Sequence, residues 1–176
     1  MILRPAIPDD VPNLVRMGRD SFNHAFAHLY RPEDLAEFLG EVHAEGAVLE
    51  EVTGEECCHC LAEVDGELVG YCKMRYPGSF GEYSDARNPI TLSQLYTTPA
   101  RTGEGIGAAL MEWAIGHASA LGCDAIQLSV YAENFGAQRF YQRYGFGKIA
   151  DITFKVGNHI DPEFLYEMRL EEEKKA

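Results

Sequence analysis

The amino-acid sequence predicts a mixed α/β fold, a mostly antiparallel sheet flanked by helices, in the order β-α-α-β-β-β-α-β-α-β-β. Three observations predict it. Apolar residues recur at helical spacing over 11–26, 106–121 and 134–144, and at the alternating spacing of a strand over 126–130. Two turn dipeptides, Asp65-Gly66 and Gly157-Asn158, each separate two apolar runs of strand length. Between those hairpins one glycine-rich passage leads from a strand-like run into a helical one.

Taken in order, Ile2 to Ile7 can form a short strand, and Asp9 or Asp10 then offers a helix cap ahead of Val11, Leu14, Val15, Gly18, Phe22 and Phe26. Pro32 followed by Glu33 and Asp34 has proline at a helix start and acids in the first turn, opening a second helix that ends near Gly46. Cys58 to Val64 and Leu68 to Met74 flank Asp65-Gly66 as an antiparallel hairpin. After a Gly/Pro/Ser/Asn-rich stretch from Pro77 to Pro89, Ile90 to Thr97 is a strand. Ile106, Leu110, Trp113, His117 and Leu121 then mark a helix stopped by Gly122. Ile126, Leu128 and Val130 alternate with Gln127 and Ser129 as a half-buried strand, and Asn134 to Tyr144 is helical, closed by Gly145. Ile149 to Val156 and Phe164 to Leu170 complete a second hairpin. Residues 1–170 are expected to form one domain, and 171–176 a charged, frayed tail.

Charge narrows the function. The formal net charge of −13 opposes binding to nucleic-acid phosphates or anionic lipid and favours a small cationic amine or a basic peptide. Twelve acidic residues and no Lys or Arg lie between Glu33 and Glu67, a run that reads first as a solvated face. Met1-Ile-Leu-Arg-Pro5 lacks the charged start and apolar core of a leader, and no apolar run nears the roughly 18 residues that span a bilayer. A cytoplasmic protein, not bound to membrane, is the expectation. Five cysteines without a spaced framework suit reduced thiols. Cys57-Cys58-His59-Cys60 offers metal-ligating types, but successive strand side chains point to opposite faces and no second close pair follows, so no metal is expected.

The passage from Leu95 to Gly107 places Gly103, Gly105 and Gly107 between a strand and the first turn of a helix. Glycines let backbone approach a ligand closely, and the free N–H groups of a helix start, with its dipole, suit a pyrophosphate. Gly103-x-Gly105-x-x-Ala108 also satisfies a loose dinucleotide-binding pattern, but that fold wants the motif in its opening βαβ unit on a tight turn, and here it comes late. Pro99-x-x-Thr102-Gly-x-Gly-Ile-Gly-Ala108 resembles motif A of the GNAT acetyltransferases, and Asn134-Phe-Gly-Ala-Gln-Arg-Phe-Tyr-Gln-Arg-Tyr-Gly-Phe146 resembles their motif B. The resemblance implies a GNAT-type sheet splayed between its fourth and fifth strands. It also implies acetyl-coenzyme A as co-substrate with no metal, and direct attack by a primary amine in a ternary complex. Dimers are frequent in the family, so a homodimer is one option.

Carried over residue by residue, the resemblance implies cofactor contacts from Leu95, Tyr96, Thr97, Arg101, Thr102, Gly103, Glu104, Gly105, Ile106, Gly107, Ala108, Asn134, Ala137, Tyr141 and Arg143. Thr102 stands where relatives usually carry Gln or Arg, and Glu104 replaces a frequent cation, with Arg101 able to compensate. Tyr141 occupies the family's general-acid position, and a phenol can protonate a thiolate. Gln94 falls where many relatives have a glutamate base and cannot take a proton, which leaves Glu63, Glu82, Asp85, His24 and His159 as candidates by type. Phe26, Tyr30 and Glu82 are the substrate-binding candidates. Ordinary core packing explains the stripe of Phe22 and Phe26 at least as well, whereas Tyr30 stands at the helix break. Asp20 to Tyr30, Pro32 to Leu39 and the hairpin from Phe154 to Met168 resemble the PaiA-type polyamine acetyltransferases. That implies a polyamine acceptor, with the acidic run beside it and the segment Pro77 to Pro89 able to close the site. A protein N-terminus or lysine as acceptor, and a non-catalytic acetyl-coenzyme A sensor, are the rival readings.

Overall fold

The computed structural model describes residues 1–170; the tail expected at 171–176 lies outside the described residues. Seven strands form one sheet in the order β1-β2-β3-β4-β5-β7-β6, namely β1 (Ile2–Pro5), β2 (Cys57–Val64), β3 (Glu67–Arg75), β4 (Pro89–Thr97), β5 (Ala125–Tyr131), β6 (Gly147–Val156) and β7 (His159–Arg169). Every neighbouring pair is antiparallel except β4 with β5. Five helices cover the faces: α1 (Val11–Phe26), α2 (Pro32–Val42), α3 (Glu45–Thr53), α4 (Ile106–Ala120) and α5 (Phe135–Arg143).

Strand alternation divides the core. On β2 and β3, Cys60, Ala62, Cys72 and Met74 face α4 with Leu110, Met111 and Ala114, while Leu61 and Tyr71 face α1 with Leu14 and Val48 of α3. A third cluster joins Phe22 of α1, Phe38 and Leu39 of α2 and Val156 of β6. The Phe22 ring centroid lies 4.5 Å from that of Phe38.

Three features depart from the expectation. The acidic region carries two helices, with the break at His43 and Ala44 and Gly46 already inside α3, so the expected end near Gly46 is corrected. Asp10 does not cap α1. It is buried, accepts Ile7 N–H at 2.9 Å and binds both outer nitrogens of Arg4 at 2.7 Å, locking the 3-10 turn that leads into the helix. β5 is not half-buried: α4 packs on the face of Ile126, Leu128 and Val130, and on the other face the neighbouring strand β7 covers Gln127. Gln127 is fully buried there, and its amide donates to Glu167 at 2.8 Å.

The β6–β7 turn is tied to α2. Asp34, buried in the first turn of α2, accepts Asn158 N–H at 2.8 Å and Arg31 Nε at 2.9 Å. Gly157 sits at φ +56°, and a Cβ there would meet Asp34 Cα at 2.5 Å. Gly157→Ala therefore combines a left-handed conformation that costs an L-residue about 1–2 kcal/mol with an overlap against backbone. The unfolding midpoint of that variant should fall by at least about 4 °C in a thermal melt, and an unchanged midpoint would mean that the hairpin is not anchored on α2.

Candidate active site

β4 departs from β5 soon after the two meet. Their parallel pairing holds only Pro89 to Ala125, Ile90 to Ile126 and Thr91 to Gln127. On the other side β4 stays paired to β3, but with a register shift: Gln94 opposes Lys73 and Leu92 opposes Met74, leaving Ser93 as an extra residue. Such a bulge bends its strand and increases its twist. From Leu92 onward β4 therefore leans from β5, which keeps its full ladder to β7 from Ala125 to Tyr131.

A cavity opens at the splay on each face. The one on the α4–α5 face, about 730 Å³, is lined by the loop Arg101 to Gly103, by Gly105 to Ala108, and by Asn134, Tyr141 and Arg143. Gly103 and Gly105 hold φ +90° and +80° there. Thr102 and Glu104 N–H bond back within the turn, to Pro99 and Arg101 carbonyls, and Ala109 N–H begins the helical ladder on Gly105. The N–H groups of Gly103, Gly105, Ile106, Gly107 and Ala108 have no protein partner among the described residues. That set suits the oxygens of a pyrophosphate. Arg101 does not stand free as a substitute cation, because Glu104 takes its guanidinium at 3.2 Å and Glu67 lies 3.9 Å away. Glu104 is accordingly absent from the wall, and Arg143, held over the Phe140 ring at 5.5 Å, is the second cation on it.

The cavity on the α1 face, about 320 Å³, is lined by Ser21, Phe22, His24 and Phe26 of α1, by Ser93 to Thr97 of β4, and by Ser129, Tyr131, Phe154 and Glu163. Leu95, Thr97, Asn134, Ala137 and Tyr141 line both cavities, so the two meet through the splay. Tyr141 projects from α5, whose N-cap Asn134 accepts Ala137 N–H at 3.2 Å, and packs on Phe146 with ring centroids 5.8 Å apart. Burial pushes its phenol up to about 12, which keeps it protonated at neutral pH. Tyr96 belongs to the α1-face cavity rather than to the loop cavity, and its ring lies 5.6 Å from that of Tyr71.

Of the substrate-binding expectations, only Phe26 lines the inner cavity. Tyr30 lies behind it, stacked on Phe22 at 5.9 Å, and its hydroxyl donates to Asp161. Glu82 is not in the site. It stands in the 3-10 turn Gly81–Tyr83 of a segment anchored by Gly78 N–H on the Pro89 carbonyl and by Arg87 and Asn88 N–H on Asp124, at the far end of β4. The segment Pro77 to Pro89 thus closes the base of the β4–β5 pair and not the cavity. Glu63 is held by Arg4, Asp85 by Arg169 and His159 by Asp161, whereas His24 does reach the wall. The residue overlooked is Glu163, on β7 opposite Tyr131. Its Oε2 is buried without a hydrogen-bond partner, and burial raises its pKa, aided by Asp161 and opposed by the Ser129 hydroxyl. Only its alternation with Phe164 and Pro162 could have flagged it, and that pattern equally fits a solvent face.

None of the twelve acids from Glu33 to Glu67 lines this inner cavity. Glu67 alone reaches an adjoining groove, with Asp20 and Arg16, that shares Ser21, His24 and Pro99 with it. The run Cys57 to Cys60 splits as strand alternation requires, with Cys60 under α4 and His59 near Glu51 at 3.7 Å. Among the described residues no group of three or more His, Cys, Asp or Glu side chains is placed to hold a metal ion, and no helix is long and apolar enough to cross a membrane.

Comparison with known proteins gives a consistent picture. The profile of the acetyltransferase (GNAT) family matches residues 19–146. An uncharacterised N-acetyltransferase of Lactobacillus delbrueckii subsp. lactis is 26% identical over 161 residues, 92% of each chain. The spermine/spermidine N(1)-acetyltransferase of Bacillus subtilis is 32% identical over 104 residues, 55% of this chain and 66% of that one. The crystal structure of the PaiA N-acetyltransferase from Thermoplasma acidophilum in complex with coenzyme A shares the fold, with a TM-score of 0.78 at 20% identity over 96% of this chain and 98% of that chain.

The raised phenol of Tyr141 has a thermodynamic signature. Its folded value of about 12 exceeds its ordinary value of 10.0, so its contribution to stability is complete below pH 10 and is lost as pH climbs from there toward 12. The denaturant midpoint of the wild type should therefore fall relative to that of Tyr141→Phe as pH rises from about 9 to 11.5. A constant difference would mean that this phenol is not desolvated.

Proposed function

The chain belongs to the acetyltransferase (GNAT) family, and we propose that it transfers the acetyl group of acetyl-coenzyme A to a primary amine of the polyamine or a similar small cationic class. The observation that carries this reading is the pair of cavities meeting at the splay. A thioester laid through the slot from the α4–α5 face would present its carbonyl to an amine held on the α1 face, so both reactants are brought to one point without a covalent enzyme intermediate.

The fit of the co-substrate rests on the chain's own groups. Five free N–H groups and Arg143 face the space where a pyrophosphate would lie, and the backbone of β4 beyond Leu92 lacks a strand partner on its β5 side. When bound, acetyl-coenzyme A supplies an acetyl group activated as a thioester. An unpaired β4 N–H near Leu95 polarises the carbonyl oxygen. Tyr141, on the wall of both cavities, protonates the departing sulfur, and the apolar setting that raises its phenol also raises the basicity of that thiolate.

A small cationic acceptor is favoured by the cavity itself: an aromatic wall from Phe22, Phe26 and Tyr131, one carboxylate from Glu163, and no Lys or Arg among the described lining residues. The net charge of −13 steers cations toward the molecule from a distance. The likeness to a spermine/spermidine acetyltransferase over 55% of the chain points the same way.

Three measurements test this. Gly105→Asp places a carboxylate against the pyrophosphate position and should weaken coenzyme A binding, read by calorimetry, by at least about tenfold; unchanged affinity would sink the loop assignment. Tyr141→Phe should lower kcat by about 10²-fold with little change in coenzyme A affinity, and wild-type turnover would remove the tyrosine from the chemistry. In a thiol-release assay with a panel of amines, kcat/KM for spermidine should exceed that of simple monoamines and fall more steeply as salt rises from low to physiological. Preference for a peptide amine over every small amine would replace the polyamine class with a protein acceptor, and coenzyme A binding without turnover of any amine would indicate a sensor.

A further inference from the structure

We propose that Glu163 is the proton acceptor for the attacking amine, an inference that rests on the acetyltransferase reading of the slot. The proton-accepting role is vacant on β4. Gln94 lines the inner cavity, but it is an amide, and its Oε1 accepts the Tyr71 hydroxyl at 3.0 Å. Glu163 enters the same cavity from β7, directly across the ladder from Tyr131. Its Oε2 has neither solvent nor a hydrogen-bond partner. A buried carboxylate oxygen in that state is costly unless something arrives to bind it, and an ammonium group in the cavity is the partner whose charge and three donors would offset the cost.

The surroundings leave Oε2 open for that role: the Ser129 hydroxyl steadies the ionised carboxylate, and no Lys or Arg lines the cavity among the described residues. Tyr96 of β4, Tyr131 of β5, Tyr141 of α5 and His24 of α1 line the cavity with it, Tyr30 approaches from the α1–α2 connection, and β6 contributes the apolar Ile152 and Phe154. The one other carboxylate acting on it, Asp161 of its own strand, is bonded to Tyr30 and His159. Desolvation makes Glu163 a stronger base than a surface carboxylate, narrowing its gap to an alkylammonium.

The step balances as follows. The bound ammonium gives one proton to Glu163, which passes it to solvent. The neutral amine forms the C–N bond as the C–S bond breaks; Tyr141 gives its phenolic proton to sulfur, and the nitrogen's second proton restores the phenol. The products are the amide, the free thiol and one released proton.

The test compares the wild type with Glu163→Gln on spermidine, ethylamine and trifluoroethylamine, the last being largely neutral at pH 7. The glutamine variant should lose about 10²-fold in kcat on the two alkylammonium acceptors, much less on trifluoroethylamine, and nothing in coenzyme A affinity. Wild-type kcat should level off with pH once Glu163 is ionised, whereas the variant's rate keeps rising with pH toward the amine's own pKa. Glu163→Asp should retain the plateau at reduced kcat, and it is the variant to read if glutamine prevents folding in a thermal melt. An unchanged kcat and pH profile in Glu163→Gln would overturn the proposal, as would a rise in KM alone with the plateau intact, since the carboxylate would then only hold the ammonium. A wild type that turns over no amine would overturn the acetyltransferase reading itself.

Discussion

The structure depends on a ladder that stops. β4 and β5 exchange hydrogen bonds over three residue pairs and then diverge at the Ser93 bulge. A buried strand edge with unpaired backbone groups is ordinarily a liability. Here each strand remains paired on its outer side, β4 with β3 and β5 with β7, so the sheet behaves as two half-sheets joined at one end. The gap costs little cohesion, and it leaves backbone donors and acceptors aimed at whatever enters. Every feature of the candidate site is a consequence: α4 begins beside the gap on one face, α1 roofs it on the other, and Tyr141 reaches it from the edge.

Holding such a wedge open requires a fixed apex, and the apex is polar. Gln127, fully buried in β5, donates to Glu167 at 2.8 Å, and Glu167 in turn takes Arg169 at 2.6 Å, which also binds Asp85. Asp124 accepts the N–H groups of Arg87 and Asn88 at 2.6 and 2.9 Å, and Thr91 Oγ1 accepts Ser79 N–H at 2.9 Å. Directional bonds fix register in a way that apolar packing does not, because each has one geometry that satisfies it. The segment from Pro77 to Pro89 is thus a clamp at the closed end. At the open end the counterpart is the link between the β6–β7 hairpin and the first two helices, made by Asp34 with Asn158 and by Tyr30 with Asp161.

The two faces of the site differ in how far the sequence discloses them. On the α4–α5 face the signals are local. Glycines at a strand-to-helix junction and an asparagine before a helix carry their conformational reasons within a few residues, so the loop, Asn134 and Tyr141 stand close to where the pattern puts them. On the α1 face the cavity is assembled from α1, β4, β5 and β7, segments as far apart as Ser21 and Glu163, and no local period reports such a meeting. Glu163 alternates along β7 as a solvent-facing residue would, and Gln127 looks half-exposed until β7 lies beside it and Glu167 takes its amide. α3 escaped notice for a related reason: it is short, opens with Gly46 in its first turn, and buries only Val48.

Charge acts here on two scales. The acidic run between Glu33 and Glu67 dominates the net charge, yet its members are either exposed or engaged, as Asp34 is with Arg31, Glu51 with Lys73 at 2.8 Å and Glu63 with Arg4 at 2.6 Å. Exposed charges separated by more than about 8 Å are largely screened at physiological salt, so that run governs encounter and little else. A single carboxylate inside a cavity without cations is not screened in that way, and its interaction with a bound ammonium strengthens as water is excluded. On the proposed reading, preference among charged amines is set by Glu163 and the aromatic wall around it, while the surface field sets how often such an amine arrives. The same division explains how a chain this acidic keeps its pyrophosphate cavity usable. The loop recruits backbone N–H groups, whose partial charges are fixed by the helix start, and spends Arg101 on neutralising Glu104 and Glu67 at the rim.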